Sequence, residues 1–449
     1  MKATPFLLVI TALVFASLAC TLTGSATNTP PSADEIATQV AATVAAQITA
    51  SASESPTAEV PAPTLNPTPQ PVFRLFYNDG SGNLWTWSDA GGTKQLTSSG
   101  GVVDLVAAPD GSQVAYAKSS DFINYSLWVI NSDGSGERQL VSTDDFNGMK
   151  SDPAMQGMAP DFITWTPDGS SVAFTTSPKF EGPGYTIQDD LWLVNADNGE
   201  KHQIITPGAG GAFYFSPDGS KIALVKPDSI VIANADGSDL RQVFTYTPVS
   251  TYSEYAYRAE PVWSPDSTSL WAAIPPADPL SSGLPTDLWR IPVDGSSAAK
   301  LGSISVNFLS PVALSANQAH ILYLSDGAIL GDNIKEVHIG NVDGSEDTLF
   351  YSGDANSPVT WSPDGVHFTF VIGQASNVQI GQVGGGYTNL SDTGMAASVR
   401  WIDNNNYLFL NRTGTGWEVR RAAIGSPSSV LANPPGDPSK YFLTYDFVH

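Results

Sequence analysis

Two histidines, His320 and His367, come nearest to a metal-binding pattern in this 449-residue chain. Each stands six places after the first residue of a recurring motif (320−314 and 367−361), so a fold that superposes the repeats carries them to matching places in neighbouring units. Two imidazoles so placed are a metal pair in outline. The same place is held elsewhere by Gln113, Ser171, Lys221, Ser269 and Tyr407, a set expected of an exposed strand start rather than of a ligand shell. No Gly-x-Ser-x-Gly elbow, His-Glu-x-x-His pair or paired-cysteine site is present. Corners such as Asn341-Val342-Asp343-Gly344-Ser345-Glu346-Asp347 lack the alternating ligand series of a calcium loop. No catalytic residue, metal or cofactor is therefore assigned, and binding is expected ahead of catalysis.

The residue types suited to binding are Phe122, Tyr125, Phe146, Phe180, Tyr185, Tyr252, Tyr255, Tyr257 and Arg258. Tyr and Arg are enriched at interfaces because they combine large contact area with polar ends. All nine fall in the longest interruptions of an otherwise regular chain.

That regularity comes from Trp361-Ser362-Pro363-Asp364-Gly365 and its relatives at Trp165, Phe215 and Trp263, with a reduced form at Ala108-Pro109-Asp110-Gly111. Worn copies begin at Leu314 and Trp401. First residues at 165, 215, 263, 314, 361 and 401 are 50, 48, 51, 47 and 40 apart, the period of propeller blades. Ser or Thr, then Pro, Asp and Gly, is what a type I turn accepts, so each motif is a hairpin corner. Runs such as Lys221-Ile222-Ala223-Leu224-Val225 follow as half-buried strands. Asp-Gly corners such as Asn234-Ala235-Asp236-Gly237 end the third strand. Each unit is thus a four-stranded antiparallel blade. Third strands marked by Trp85, Trp128, Trp192, Val231, Trp289, His338, Gln379 and Glu418 predict an all-β, eight-bladed β-propeller over residues 73–449, with seven blades as the alternative. The first unit, from Arg74 to Leu96, lacks a strand. The run Tyr441-Phe442-Leu443-Thr444-Tyr445 is expected to supply it, with Tyr445 in the motif aromatic's place, closing the ring with strands from both termini.

The Ser-Pro-Asp-Gly hairpins, Leu-Trp strands and Asp-Gly corners resemble the WD40-like (PD40) repeats of TolB-type propellers. The resemblance covers roughly Arg74 to His449. It implies an extracytoplasmic setting and leaves function open, since such propellers serve as protein-binding platforms, peptidase gates and, less often, lyases. Lyases of this repeat type use clustered channel histidines, which makes a carbohydrate-active lyase or hydrolase with channel carboxylates the alternative function.

Before the repeats, residues 1–19 carry Lys2 and an apolar run from Phe6 to Leu18, too short to span a membrane and expected as a signal peptide. Cys20, the only cysteine, follows Ser17-Leu18-Ala19. This resembles the lipobox of bacterial lipoproteins, although leucine stands two rather than three places before the cysteine; the resemblance implies lipidation at Cys20. Residues 20–72 are rich in Ala, Thr, Ser and Pro and read as a stalk. Within it Ile36, Val40, Val44 and Ile48 recur at helical spacing, predicting a short helix over 33–50.

In an antiparallel meander, turns one-to-two and three-to-four share one face, and two-to-three loops and blade links share the other. The first face is uniformly tight. The second holds the long segments 118–125, 142–160, 176–189, 246–260, 275–286 and 325–335. Lys and Arg number 20 against 44 Asp and Glu, a net charge of −24, which disfavours nucleic acid. The expected partners are a membrane, through the lipid anchor, and a cell-envelope protein or glycan bound at the long-loop face. The chain is read as a tethered, extracytoplasmic, non-catalytic scaffold.

Overall fold

The motif corners close by the hydrogen bonds their residue types dictate. At Thr166 the carbonyl accepts from Gly169 N at 2.8 Å and the amide donates to Ser171 O at 2.9 Å. Gly169 then takes the left-handed φ of +70° that glycine adopts without cost. The Thr166 hydroxyl donates to Asp168 Oδ1 at 2.6 Å, and that oxygen also accepts from Ser170 N. Ser216 with Asp218, Ser264 with Asp266, and Ser362 with Asp364 repeat the 2.6 Å contact. In the worn copy Asn317 replaces the aspartate and accepts from Ser315 at 2.7 Å.

The computed structural model describes residues 73–181, 187–308, 310–326, 335–373, 377–390, 395–414, 416–436 and 443–449. These form eight four-stranded antiparallel sheets, the blades of an eight-bladed β-propeller, so the seven-blade alternative does not hold. Blades 2 to 8 span residues 102–141, 157–205, 212–245, 262–304, 313–353, 355–389 and 395–432. Blade 1 takes Arg74–Asn78, Leu84–Ser88 and Gly92–Gln95, and Tyr445–Val448 pairs against the first of these. The expected signal peptide, Cys20, the stalk and its helix lie outside the described residues, as do Tyr441 and Phe442.

Hydrophobic alternation along the strands fills the seams between blades. Eight buried clusters occur, one at each junction: Leu410 and Val419 of blade 8 pack with Leu75 and Tyr77 of blade 1, as Trp271 and Leu288 of blade 5 pack with Ile321 and Tyr323 of blade 6. Motif tryptophans reinforce the seams. The indole N–H of Trp165 donates to Val106 O at 3.0 Å, that of Trp263 to Tyr214 O at 3.0 Å and that of Trp361 to Ala313 O at 2.9 Å. Each carbonyl belongs to the preceding blade.

Register corrects one expectation at the closure. Val172 pairs with Trp165 and Leu270 with Trp263, each as the second residue of its strand. The matching residue of blade 1, Leu75, pairs with Phe447. Phe447 therefore holds the motif aromatic's place. Tyr445 lies two residues earlier on the same strand face, buried, with its hydroxyl donating to Ser398 O of blade 8.

The histidines are corrected as well. His320 and His367 are half-buried rather than exposed, and each ring stacks on the next blade's motif tryptophan, His320 on Trp361 at 6.5 Å and His367 on Trp401 at 6.4 Å. They are spacers in consecutive seams. Among the described residues no cluster of three or more metal-ligating side chains occurs, and no helix is long and apolar enough to cross a membrane.

Candidate binding surface

The long-loop face is built by segments whose own side chains hold them in shape. In the loop after Lys118, Asp121 accepts from Ile123 N at 2.9 Å and from Asn124 N at 2.8 Å. These bonds lower its pKa to about 2 and hold Phe122, 47% exposed, at φ +58° on the tip. Tyr125 at the loop's end is half-buried, with the Lys179 ammonium 5.6 Å from its ring centre. Burial pushes the Tyr125 hydroxyl up.

Two expected loops are partly regular. The second strand of blade 3 runs on to Lys179, leaving Phe180, 45% exposed, as the first loop residue. The blade 2–3 link contains the helix Thr143–Gly148, whose Ser142 and Asp145 form a capping box. That helix turns Phe146 inward, fully buried with its ring 5.6 Å from that of Phe174. Phe146 is a core residue and offers no surface to a ligand. Tyr185 lies outside the described residues.

The remaining residues lie on the blade 4–5 link. Tyr252 and Tyr255 are 57% and 48% exposed. The Tyr252 hydroxyl donates to Asp278 Oδ1 at 2.6 Å, tying this link to the loop within blade 5. Tyr257 is turned inward, its hydroxyl 3.3 Å from Ala273 O and its pKa driven well up by burial. Arg258 spans to other blades: Nη1 donates to Val225 O at 3.1 Å, and Nη2 lies 2.9 Å from Asp189 Oδ1. Burial pushes the Asp189 carboxyl up, and Arg258 opposes that shift.

Beside this link a small cleft of about 90 Å³ opens at the junction of blades 5 and 6. Tyr257 and Trp271 form part of its wall, with Pro275, Pro276, Leu284 and Pro311, while Arg258, Glu260 and Asn307 supply polar groups. Leu280 and Leu284, 58% and 66% exposed, lie on the blade 5 loop that Tyr252 meets at Asp278. Among the described residues Glu260 makes no hydrogen bond or ion pair, whereas the charge of Arg258 is matched by Asp189. The sequence reading missed Trp271, Glu260, Leu284 and Asn307. The prolines at 275, 276 and 279 were the available signal, because three in one loop make a stiff apolar wall.

Across Val306, which lines both, a second groove carries Asp326, Glu336, Asp347 and His338. His338 Nδ1 is 3.0 Å from Asp347 Oδ2 and Nε2 is 3.4 Å from Glu336 Oε2. Tyr323 stacks on the imidazole at 5.3 Å and donates to Asp347 at 2.9 Å. Asp326 is engaged by Lys335 and by the Asn307 amide.

First strands contribute a further acidic group, Asp104, Asp161 and Asp446 from blades 2, 3 and 1. Solvent reaches Asp104, yet protein encloses it, and the lost hydration raises its pKa, with Asp161 and Asp446 adding to the rise. On the opposite face the corner aspartates are held low by local hydrogen bonds, Asp218 at about 2. Their role is the turn itself.

No protein-family model and no curated protein matches the sequence. Among solved structures, a prolyl endopeptidase aligns at a TM-score of 0.50 with 15% identity, over 77% of this chain and 50% of its own. A eukaryotic initiation factor aligns at 0.50 with 9% identity, over 84% of this chain and 98% of its own. TolB from Acinetobacter baumannii aligns at 0.33 with 14% identity, over 61% of this chain and 62% of its own. The chain thus covers half the length of the prolyl endopeptidase and under two thirds of TolB. The two alignments at 0.50 show a likeness of fold alone.

Proposed function

We propose that the chain is an extracytoplasmic binding scaffold, lipid-tethered through Cys20, whose long-loop face grips a cell-envelope protein or glycan without transforming it. The observation that carries this reading is the cleft between blades 5 and 6, bordered by the link that bears exposed Tyr252 and Tyr255. A concave wall that sets apolar side chains beside convergent polar groups is what a recognition site needs. Exposed tyrosines beside a cleft are also the residue type enriched where partners bind. Phe122, Tyr125 and Phe180 extend the surface over blades 2 and 3, whereas Tyr257 and Arg258 shape the cleft from below.

The test is capture of labelled envelope protein and glycan fractions by the full chain and by a Tyr252→Ala/Tyr255→Ala/Leu284→Ala variant, with and without chelator. Loss of capture in the variant and indifference to chelator support the reading; equal capture by both chains sinks it. Incorporation of labelled fatty acid that disappears in Cys20→Ala checks the tether. A second reading, carbohydrate cleavage, draws on the Asp104, Asp161 and Asp446 carboxyls carried by the first strands of blades 2, 3 and 1, since glycoside cleavage commonly uses a pair of carboxyl groups. Release of oligosaccharide that stops in Asp104→Asn would replace the first reading.

A further inference from the structure

We infer that the occupant of the blade 5–6 cleft is a basic polypeptide segment, inserting a Lys or Arg side chain between apolar neighbours; this rests on the binding reading above. The first argument is the charge left over in the cleft. Arg258 is matched by Asp189 and hydrogen-bonded to Val225 O, so the unmatched charge is the Glu260 carboxylate. A neutral ligand closing the cleft would strip water from that exposed carboxylate and return nothing. A cation returns the lost interaction.

The walls select the kind of cation. Trp271, Tyr257 and the prolines suit a long aliphatic stem with a charged head, the shape of Lys and Arg. A small hydrated ion would leave the apolar wall uncovered. The surroundings extend the preference along a chain. Beyond Val306, the ion-pair partners of Asp326, Glu336 and Asp347 among the described residues are Lys335 and His338, so the groove that adjoins the cleft is acidic too. The whole chain carries −24, which draws basic partners and repels acidic ones. A polypeptide with an anchoring basic residue, apolar flanks and a further positive charge matches cleft, rim and groove together.

The experiment displays a random peptide library against the immobilised full chain and, in parallel, offers a panel of neutral and acidic glycans. Selected peptides are then measured against Glu260→Gln, which keeps the side-chain shape, against Leu284→Ala at the rim, and against Asp236→Asn on the opposite face as control. Melting curves verify that each variant is folded. Expected are peptides with Lys or Arg beside apolar residues, bound about tenfold more weakly by Glu260→Gln, weakened by salt and unchanged by Asp236→Asn. Neutral or acidic selected peptides, or equal binding by Glu260→Gln, overturn the inference. Glycans held through Leu284 with no basic peptide bound overturn it while leaving the scaffold reading standing. If nothing binds through Leu284, both fall.

Discussion

The guanidinium of Arg400 lies 2.7 Å from the carboxylate of Asp446, joining blade 8 to the C-terminal strand that completes blade 1. Arg400 also donates to Tyr445 O at 3.0 Å and lies 4.8 Å from the Phe447 ring centre. The other Asp446 oxygen accepts from Ala107 N of blade 2 at 2.8 Å. One carboxylate thus holds the last strand to both neighbours. Because Arg400 is partly exposed, Arg400→Met should cost only about 1 kcal/mol in chemical denaturation. Deleting residues 443–449 should do far more, exposing a bare strand edge and producing aggregates visible by light scattering.

Replacing Trp361 separates the two contributions of a motif aromatic. Trp361→Phe keeps most of the apolar area but leaves Ala313 O without its donor, for an expected loss of about 1 kcal/mol. Trp361→Ala also opens a cavity in the seam and should cost roughly 3–5 kcal/mol. Urea midpoints of the two variants measure the difference.

Arg258→Met should strand the Asp189 carboxylate, at a cost of about 2 kcal/mol near neutral pH. The folded-state pKa of Asp189 already stands above its ordinary value of 3.8 through burial, and loss of Arg258 removes an opposing influence. A raised acid binds more protons folded than unfolded, so stability falls as pH rises through that range. The variant should therefore approach the parent near pH 4 and diverge toward neutrality. Adding Asp189→Leu should recover part of the loss.

Acid sensitivity should have the opposite sign at two turn aspartates, Asp121 in the loop after Lys118 and Asp218 at a motif corner. Asp121 and Asp218 are lowered to about 2 by hydrogen bonds to their carboxylates. Their stabilisation is complete above the ordinary value of 3.8 and lost as pH falls toward 2. Asp218→Asn should flatten the thermal-melting profile across that window.

At Gly157 an added Cβ would fall 2.1 Å from Ile123 O, a backbone atom of the loop that presents Phe122. Gly157→Ala should cost about 1–3 kcal/mol by forcing strand and loop apart. Faster hydrogen exchange over residues 119–125 is the expected sign of it.

Much of the ring was readable because its determinants are local. The blade period followed from corners that recur at near-constant intervals, the count from the third strands, and the need for a terminal closing strand from a first unit one strand short. The errors arose where a residue's setting depends on a neighbouring blade. Tyr445 was assigned the motif place that Phe447 holds because aromatic type alone does not fix register, which depends on pairing across to Leu75. Phe146 looked like a loop aromatic until a capped helical turn pointed it at Phe174.

The amino-acid order alone determined the repeated blade, its turns and the division into a tight face and a long-loop face, since a turn's φ values, a proline's missing N–H and an alternating strand act over a few residues. Only tertiary structure decided which loop aromatics stay in water, where the cleft opens and which charge in it goes unmatched. Those depend on contacts between blades, such as Arg258 reaching Asp189 and Trp271 donating to Val342 O at 3.2 Å, between residues that come together only when the seams pack.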